Sequence, residues 1–383
     1  LPLSAAESGY VLNGQAHPAD PAFDAIPQSG RITVDFKAVP VDKALEEISR
    51  QSGTPVKFWM GEGAPVTLSA ERAPLLAVLA ALCKEHGWGL EVMTNPEGLE
   101  ELNVRGSTDC PVRAYAVRGP LLLLWHGLVT SKQFDFEQNP PGIKEVTKYR
   151  MGLVTDPLAH VEVVDRERQM AARDFPVLFR PAEGPEVELR SDHKPNTFGS
   201  GPPWEFSPRE GLAGSGSLAV TLAFEAPSRL DEAVLPFKPG ARTEAAETEL
   251  TLESAGSGKS KVRDPKDRFT QIEALVFTSI VRLVRPGAVV PAGMPDAKEA
   301  ASAIGGIRAA HRVSLVLEDG SVLPGGCKSA NGISSPWHGY RYDASFLARD
   351  PASRAKEIRI VWALGFSTSR AELRIDGIGF AKP

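Results

Sequence analysis

The sharpest patterning of hydrophobic and polar positions lies between residues 31 and 105. Ile32, Val34 and Phe36 alternate with polar neighbours, the period-two signature of a half-buried strand. Pro40 and Asp42 then mark a helix start. Val41, Ala44, Leu45 and Ile48 fall at i, i+3, i+4 and i+7, giving one apolar face that Gly53 ends. Residues 56–58 and the alternating Val66 and Leu68 predict two more strands. Pro74 opens a second helix with Leu75, Val78, Leu79 and Leu82 on one face, and Gly87 closes it. Leu90, Val92, Leu102 and Val104 supply the last strands. This order predicts a βαββαβ-like α+β domain at 31–105, with both helices on one face of a small sheet.

Beyond residue 112 the helical period gives way to alternation. Residues 114–129 read as one long strand whose middle, 121–125, is apolar on both faces, as in the centre of a sandwich. Further strands are expected at 151–155, 160–164, 218–224, 248–252, 272–284, 313–317, 340–346, 358–362 and 371–378. Glu318, Asp319, Gly320 and Ser321 form a hairpin turn, and 296–308 is the helical candidate of this part. The expected fold class is therefore an α+β N-terminal domain followed by mainly antiparallel β-sandwich domains, with lobes at 112–238 and 239–383. Residues 106–112 read as a linker. The Pro/Gly/Ser-rich 181–217 is long for a connection, a length that usually carries function. Residues 1–30 contain no Lys or Arg and read as an extended acidic tail interrupted by a strand-like patch, Tyr10, Val11 and Leu12.

The segment ITVDFKAVPVDKALEEISRQSGTPVKF, with VTLSAERAPLLAVLAALCKEHGWGLEV after it, resembles the short N-terminal (STN) domain shared by secretins and TonB-dependent receptors. The likeness lies in a strand ending before Pro40, the Ala44–Leu45 pair, Gly53 after the first helix and the Gly-x-Gly-Leu run at 87–90, and it covers about a fifth of the chain. Those families use the domain in the periplasm for partner contact or signalling. The chain beyond residue 105 matches neither a secretin ring domain nor a receptor barrel, so the resemblance implies an exported envelope protein with a protein-contact module and no pore. The remainder is similar to bacterial exported proteins that carry β-rich lobes of unassigned function. A sequence opening on Leu1 is compatible with export and removal of a leader.

Composition narrows the classes. The 383 residues predict two or three domains, and 42% hydrophobic with 24% charged residues fits a folded globular chain. Forty-three basic against forty-eight acidic residues, a net charge of -5, argue against a nucleic-acid partner. No run of eighteen apolar residues predicts a transmembrane helix. Cys83, Cys110 and Cys327 form no framework; free thiols are expected, with a Cys83–Cys110 bridge as the alternative.

Motifs for chemistry are sparse. Gly-Ser-Gly-Lys-Ser at 256–260 fails as a phosphate loop because Glu253 stands where its first glycine belongs, so a solvated hairpin loop is expected. Cys83 and His86 share a helix face, but His17, His126, His160, His193, His311 and His338 are scattered, so no metal or cofactor is expected. The pairs Glu46–Glu47 and Glu100–Glu101 diverge and no Gly-x-Ser-x-Gly elbow occurs, so no catalytic residue is assigned. The candidate binding residues are Trp337 and His338 in a turn, Tyr340 and Tyr342 on one strand face, and Trp204 and Phe206 in the long loop. Tyr10, Val11 and Leu12 are the candidates for self-association, by adding a strand to a neighbouring subunit. The function expected is a non-enzymatic exported structural or assembly protein that contacts a protein partner or itself. Two alternatives stay open: a carbohydrate-active or other hydrolytic enzyme using 181–217 and the Trp337 turn, and a monomeric glycan- or peptide-binding protein.

Overall fold

The computed structural model describes residues 9–61, 63–94, 100–106, 108–135, 142–159, 161–165, 170–171, 177–189, 204–207, 214–245, 248–263, 270–284, 311–332, 339–364 and 367–380. Mostly antiparallel strands build two compact units. One takes Leu1–Met93, Glu101–Pro227 and Phe366–Pro383, the other Thr94–Glu100 and Ser228–Gly365. The helical candidate at 296–308 lies outside the described residues.

The first unit opens with the hairpin of β1 (Tyr10–Leu12) and β2 (Gln15–His17), one turn of helix α1 (Pro21–Asp24), β3 (Ile32–Val39) and α2 (Val41–Ser52). Then come β4 (Val56–Trp59), β5 (Val66–Ala73), α3 (Leu75–His86), β6 (Gly89–Thr94) and β7 (Glu100–Arg105). Both helices end as their sequences predict: Gly53 and Gly87 take left-handed backbones, φ 73° and 66°, at the C-caps, where a Cβ would be penalised. The strands do not form one small sheet. β3 and β5 join the N-terminal hairpin in the order β2-β1-β5-β3, and β4, β7 and β6 make a separate three-stranded sheet with β4 and β7 parallel. The tail supplies the missing neighbour: β1 takes the edge of β5 that β4 would need.

Eight more strands of this unit come next in the chain: β8 (Ala114–Arg118), β9 (Leu121–Asp135), β10 (Gly142–Thr155), β11 (Glu162–Asp165), β12 (Met170–Ala171), β13 (Val177–Pro181), β14 (Val187–Leu189) and β15 (Trp204–Phe206). β16 (Gly214–Ala226) closes this run. The expected single strand over 114–129 is a hairpin, β8 to β9, which turns at Gly119 with φ 54°. A four-stranded sheet, β15-β10-β9-β8, shares a core with the sheet built around β16. Leu121, Leu123 and Trp125 point into that shared core.

Leu122 and Leu124 point the other way, into the core that holds both helices. This explains α3, whose residues from Leu75 to Cys83 are all buried instead of on one face only. A helix apolar all round needs cover on every side, and β9 supplies the side that the N-terminal strands leave open. Each leucine removed from water there contributes about 1.5–3 kcal/mol. The expected linker at 106–112 therefore separates no domains: Val112 is buried in the same core.

The second unit contains β17 (Arg229–Pro236), β18 (Arg242–Ala245), β19 (Thr248–Arg263), β20 (Gln271–Val284), β21 (His311–Leu317), β22 (Val322–Gly332), β23 (Gly339–Ala348) and β24 (Ala355–Leu364). They form one eight-stranded sheet, β17-β24-β21-β22-β23-β20-β19-β18. Its inward residues, from Ala233 and Leu235 on one end strand to Leu250 and Leu252 beside the other, meet in a single core with Phe277, Leu315, Phe346 and Ile358. The sheet therefore rolls over its own apolar face. The Gly256–Ser260 run lies within β19, with Gly256 opposite Thr278 and Lys259 opposite Leu275, an exposed strand and not the loop expected from its composition.

β25 (Ser367–Phe380), expected in the second lobe, returns to the first unit and pairs with β16 along its whole length.

Candidate functional site

The tail forms the wall of a cleft of about 590 Å³ in the first unit, lined by Tyr10, His17, Pro18, Asp20, Pro21, Asp24, Arg31, Arg72, Pro74, Val117, Arg118 and Gly119 among others. Strand register sets one side. Tyr10 pairs with His17, and their rings stack 4.5 Å apart at 8°. Val11 pairs with Glu71 and Leu12 with Ala70 in the antiparallel β1–β5 ladder, which sets Arg72 just past its end. Residues that sit opposite each other share a face, so His17 and Tyr10 lie together, and Arg72 lines the same cleft.

Arg72 has a strained backbone. Ile32 pairs with Ala73 and Val34 with Ala70, so Thr33 alone faces Glu71 and Arg72. This is a β-bulge, a device that re-aims side chains. Arg72 takes φ 54° there, and its N–H donates to Thr33 Oγ1 at 3.0 Å.

Ion pairs build the facing wall. Arg118 Nε donates to Asp20 Oδ2 at 2.9 Å while its guanidinium lies 4.3 Å over the Phe23 ring, and Arg31 pairs with Asp24. The Asp20 N–H donates to Asp24 Oδ2 at 3.1 Å. Among the described residues Arg72 has no ion pair, so it brings the cleft an uncompensated positive charge. Burial, with Tyr115 nearby, pushes the Tyr10 phenol up to about 12, so it keeps its proton near neutral pH.

Phe23 and Ser29 tie the tail down. Phe23 is 4% exposed and packs on Phe224. A Cβ on Gly119 would come 2.6 Å from Phe23 Cβ, so only glycine lets β8 turn beneath it. Ser29 Oγ donates to Asp156 Oδ1 at 2.7 Å and lies 2.6 Å from Thr54 Oγ1, and the Ser29 N–H donates to Asp156 Oδ2 at 3.0 Å. All three residues are buried, and buried polar groups persist when mutually satisfied.

The residues chosen from sequence fall elsewhere. Trp337 and His338 lie outside the described residues. Tyr340 and Tyr342 sit in β23 opposite Leu283 and Val281. Trp204 and Phe206 are 2% and 1% exposed and pair with Met151 and Tyr149 in β15, so they are core and not an exposed loop contact. Aromatics either side of one acid make a short strand that is apolar on its inner face, which the Pro/Gly surroundings conceal. Tyr10, Val11 and Leu12 are taken up in β1, paired on one side with β2 and on the other with β5 of the same chain, so they offer no free strand edge to a second subunit. Cys83 and Cys110 are both free, so the alternative bridge is not formed; burial pushes the Cys83 thiol up.

A second polar cluster lies beside β15. Arg150 Nε is 2.7 Å from Glu205 Oε1, Lys148 Nζ is 3.7 Å from Glu205 Oε2, and Arg150 Nη1 donates to Cys110 Sγ at 3.3 Å. His126 is buried alongside, its Nδ1 3.2 Å from the Pro111 carbonyl oxygen, and burial pulls its pKa down. Among the described residues no group of three or more His, Cys, Asp or Glu is placed to hold a metal ion.

Sequence patterning missed the cleft because its groups come from four distant segments. One signal was present: an acidic tail without Lys or Arg invites pairing with arginines elsewhere, here Arg31 and Arg118. Comparison with protein-family models, with curated proteins and with solved structures finds no match for the chain.

Proposed function

We propose that this is an exported, non-enzymatic protein of the bacterial envelope that acts through protein–protein contacts, with the cleft at the tail as its contact site and the β-sandwich lobes as its scaffold. The observation that carries this reading is the state of the charges in the cleft. Asp20 and Asp24 are each engaged by a guanidinium, while Arg72 and the Tyr10–His17 stack line the opening. A hydrolytic pair needs two carboxylates facing each other across a gap with one of them available to carry a proton. The groups offered here recognise and hold. The likeness of 31–105 to the STN domain supports both the partner-contact role and an exported location. Among the described residues no helix is long and apolar enough to cross a membrane.

Arrays of peptides and glycans probed with the purified chain, with mass spectrometry of the bound ligands afterwards, test the reading. Saturable binding of peptides that Tyr10→Ala abolishes, with the ligands chemically unchanged, is the expected outcome. Cleavage of any bound ligand, or binding indifferent to Tyr10→Ala, overturns it.

A further inference from the structure

Resting on that reading of the cleft, we propose that its ligand is an acidic peptide segment, in which a carboxylate meets Arg72 and an adjacent flat or apolar side chain lies on the Tyr10–His17 stack. The backbone at Arg72 is the first support. A left-handed φ of 54° at a bulge is a position glycine occupies at no steric cost, yet a long cationic side chain stands there. Ala38, at the other irregularity of the same strand pair, has φ 55° with only a methyl group, so it is the long cation at Arg72, not the backbone alone, that distinguishes this bulge. Arg72 and the Tyr10–His17 stack line the same cleft.

Charge accounting is the second support. Arg31 and Arg118 are matched by Asp24 and Asp20, which leaves Arg72 as the arginine of the cleft without an ion pair among the described residues. A guanidinium prefers a planar carboxylate, which it can grip with two parallel N–H donors. The rest of the lining favours a peptide over an acidic sugar. Pro18, Pro21, Pro74 and Val117 give apolar walls, and the polar side chains facing them satisfy one another. A ligand bearing many hydroxyls would lose water and find few partners, which costs affinity at each unpaired group. An apolar or aromatic side chain loses nothing there. A cavity of 590 Å³ is within the range that holds a small ligand or a short run of residues.

Isothermal titration of the full chain with three capped tetrapeptides separates the outcomes. The first is acetylated, amidated Ala-Phe-Glu-Ala; the second carries Gln for Glu; the third is the Gln peptide with a free C-terminal carboxylate. The Glu peptide is expected to bind roughly ten- to a hundredfold more tightly than the amidated Gln peptide, the gain of one charge-assisted contact. Arg72→Gly erases that difference and Arg72→Lys restores part of it. If the free C-terminus rescues the Gln peptide, the partner presents a chain end; if it does not, an internal Asp or Glu. Three results overturn the proposal: galacturonate binding as tightly as the Glu peptide, equal binding of the Glu and Gln peptides, or no titration by any of them at millimolar concentration. Equal binding that Tyr10→Ala still abolishes leaves the contact site standing and removes only the carboxylate.

Discussion

Arginine–carboxylate pairs occur in the first unit in two opposite settings. Arg150 and Glu205 face each other across β10 and β15 with side chains 14% and 11% exposed, beside Lys148 and Cys110. Arg118 and Asp20 line the cleft with side chains 38% and 37% exposed. The chemistry is the same and the surroundings differ. A buried pair has lost its water, so each partner depends on the other and the pair belongs to the fold. A half-exposed pair contributes little to stability and is at hand to shape a binding wall. Degree of burial therefore separates an ion pair whose breaking the fold must feel from one whose breaking it should barely register.

The largest expected effect breaks the buried pair. Glu205→Ala takes the carboxylate from beside the half-buried Arg150 and Lys148 and should lower unfolding free energy by up to about 3–5 kcal/mol in a urea titration. The double replacement Arg150→Met with Glu205→Leu should recover part of that loss, since Lys148 still loses its contact with Glu205. Failure to recover would show that the pair has a role beyond satisfying itself. Next, Leu124→Ala should cost about 2–5 kcal/mol, because this side chain fills the core under α3 and its removal leaves a cavity.

His126 gives a smaller, pH-dependent effect. Burial, reinforced by the positive charge of Arg150, lowers its pKa below the ordinary 6.5, and the carbonyl oxygens of Pro111 and Cys110 oppose this only in part. The unfolded chain thus takes up this proton before the folded one. The contribution of His126 to stability is level above pH 6.5 and falls as pH drops through 6.5, by no more than about 1.4 kcal/mol per pH unit. His126→Gln should flatten that part of a stability–pH curve. Asp20→Ala, at the exposed end of the comparison, should change stability by less than about 1 kcal/mol while altering binding in the cleft.

Local signals were legible and non-local ones were not. The apolar stripe of α2 and the glycines that end both helices, Gly53 and Gly87, lie in the places the sequence predicts, because each depends on residues within one or two turns. The sharing of one core by α3 and β9 was written only in the composition of each, nine apolar residues running from Leu75 to Cys83 and five at 121–125, and local period cannot say that the two surfaces meet. The break at Gly119 is hidden inside an unbroken strand-like pattern. β25 pairs with β16 within the first unit although residues 228–365 separate them in the chain, a contact no local pattern encodes. The bulge that aims Arg72 is a mismatch of one residue between two strands, visible only once β3 and β5 are in register.

The proposed recognition turns on Arg72, whose side chain then serves a ligand and not the fold. Denaturant unfolding of Arg72→Gly tests this directly. Glycine accepts the left-handed backbone freely, so the midpoint should stay or rise, with a gain of up to about 1 kcal/mol and an unchanged slope. A loss of more than about 1 kcal/mol would mean that the guanidinium supports the fold itself, and would contradict that role.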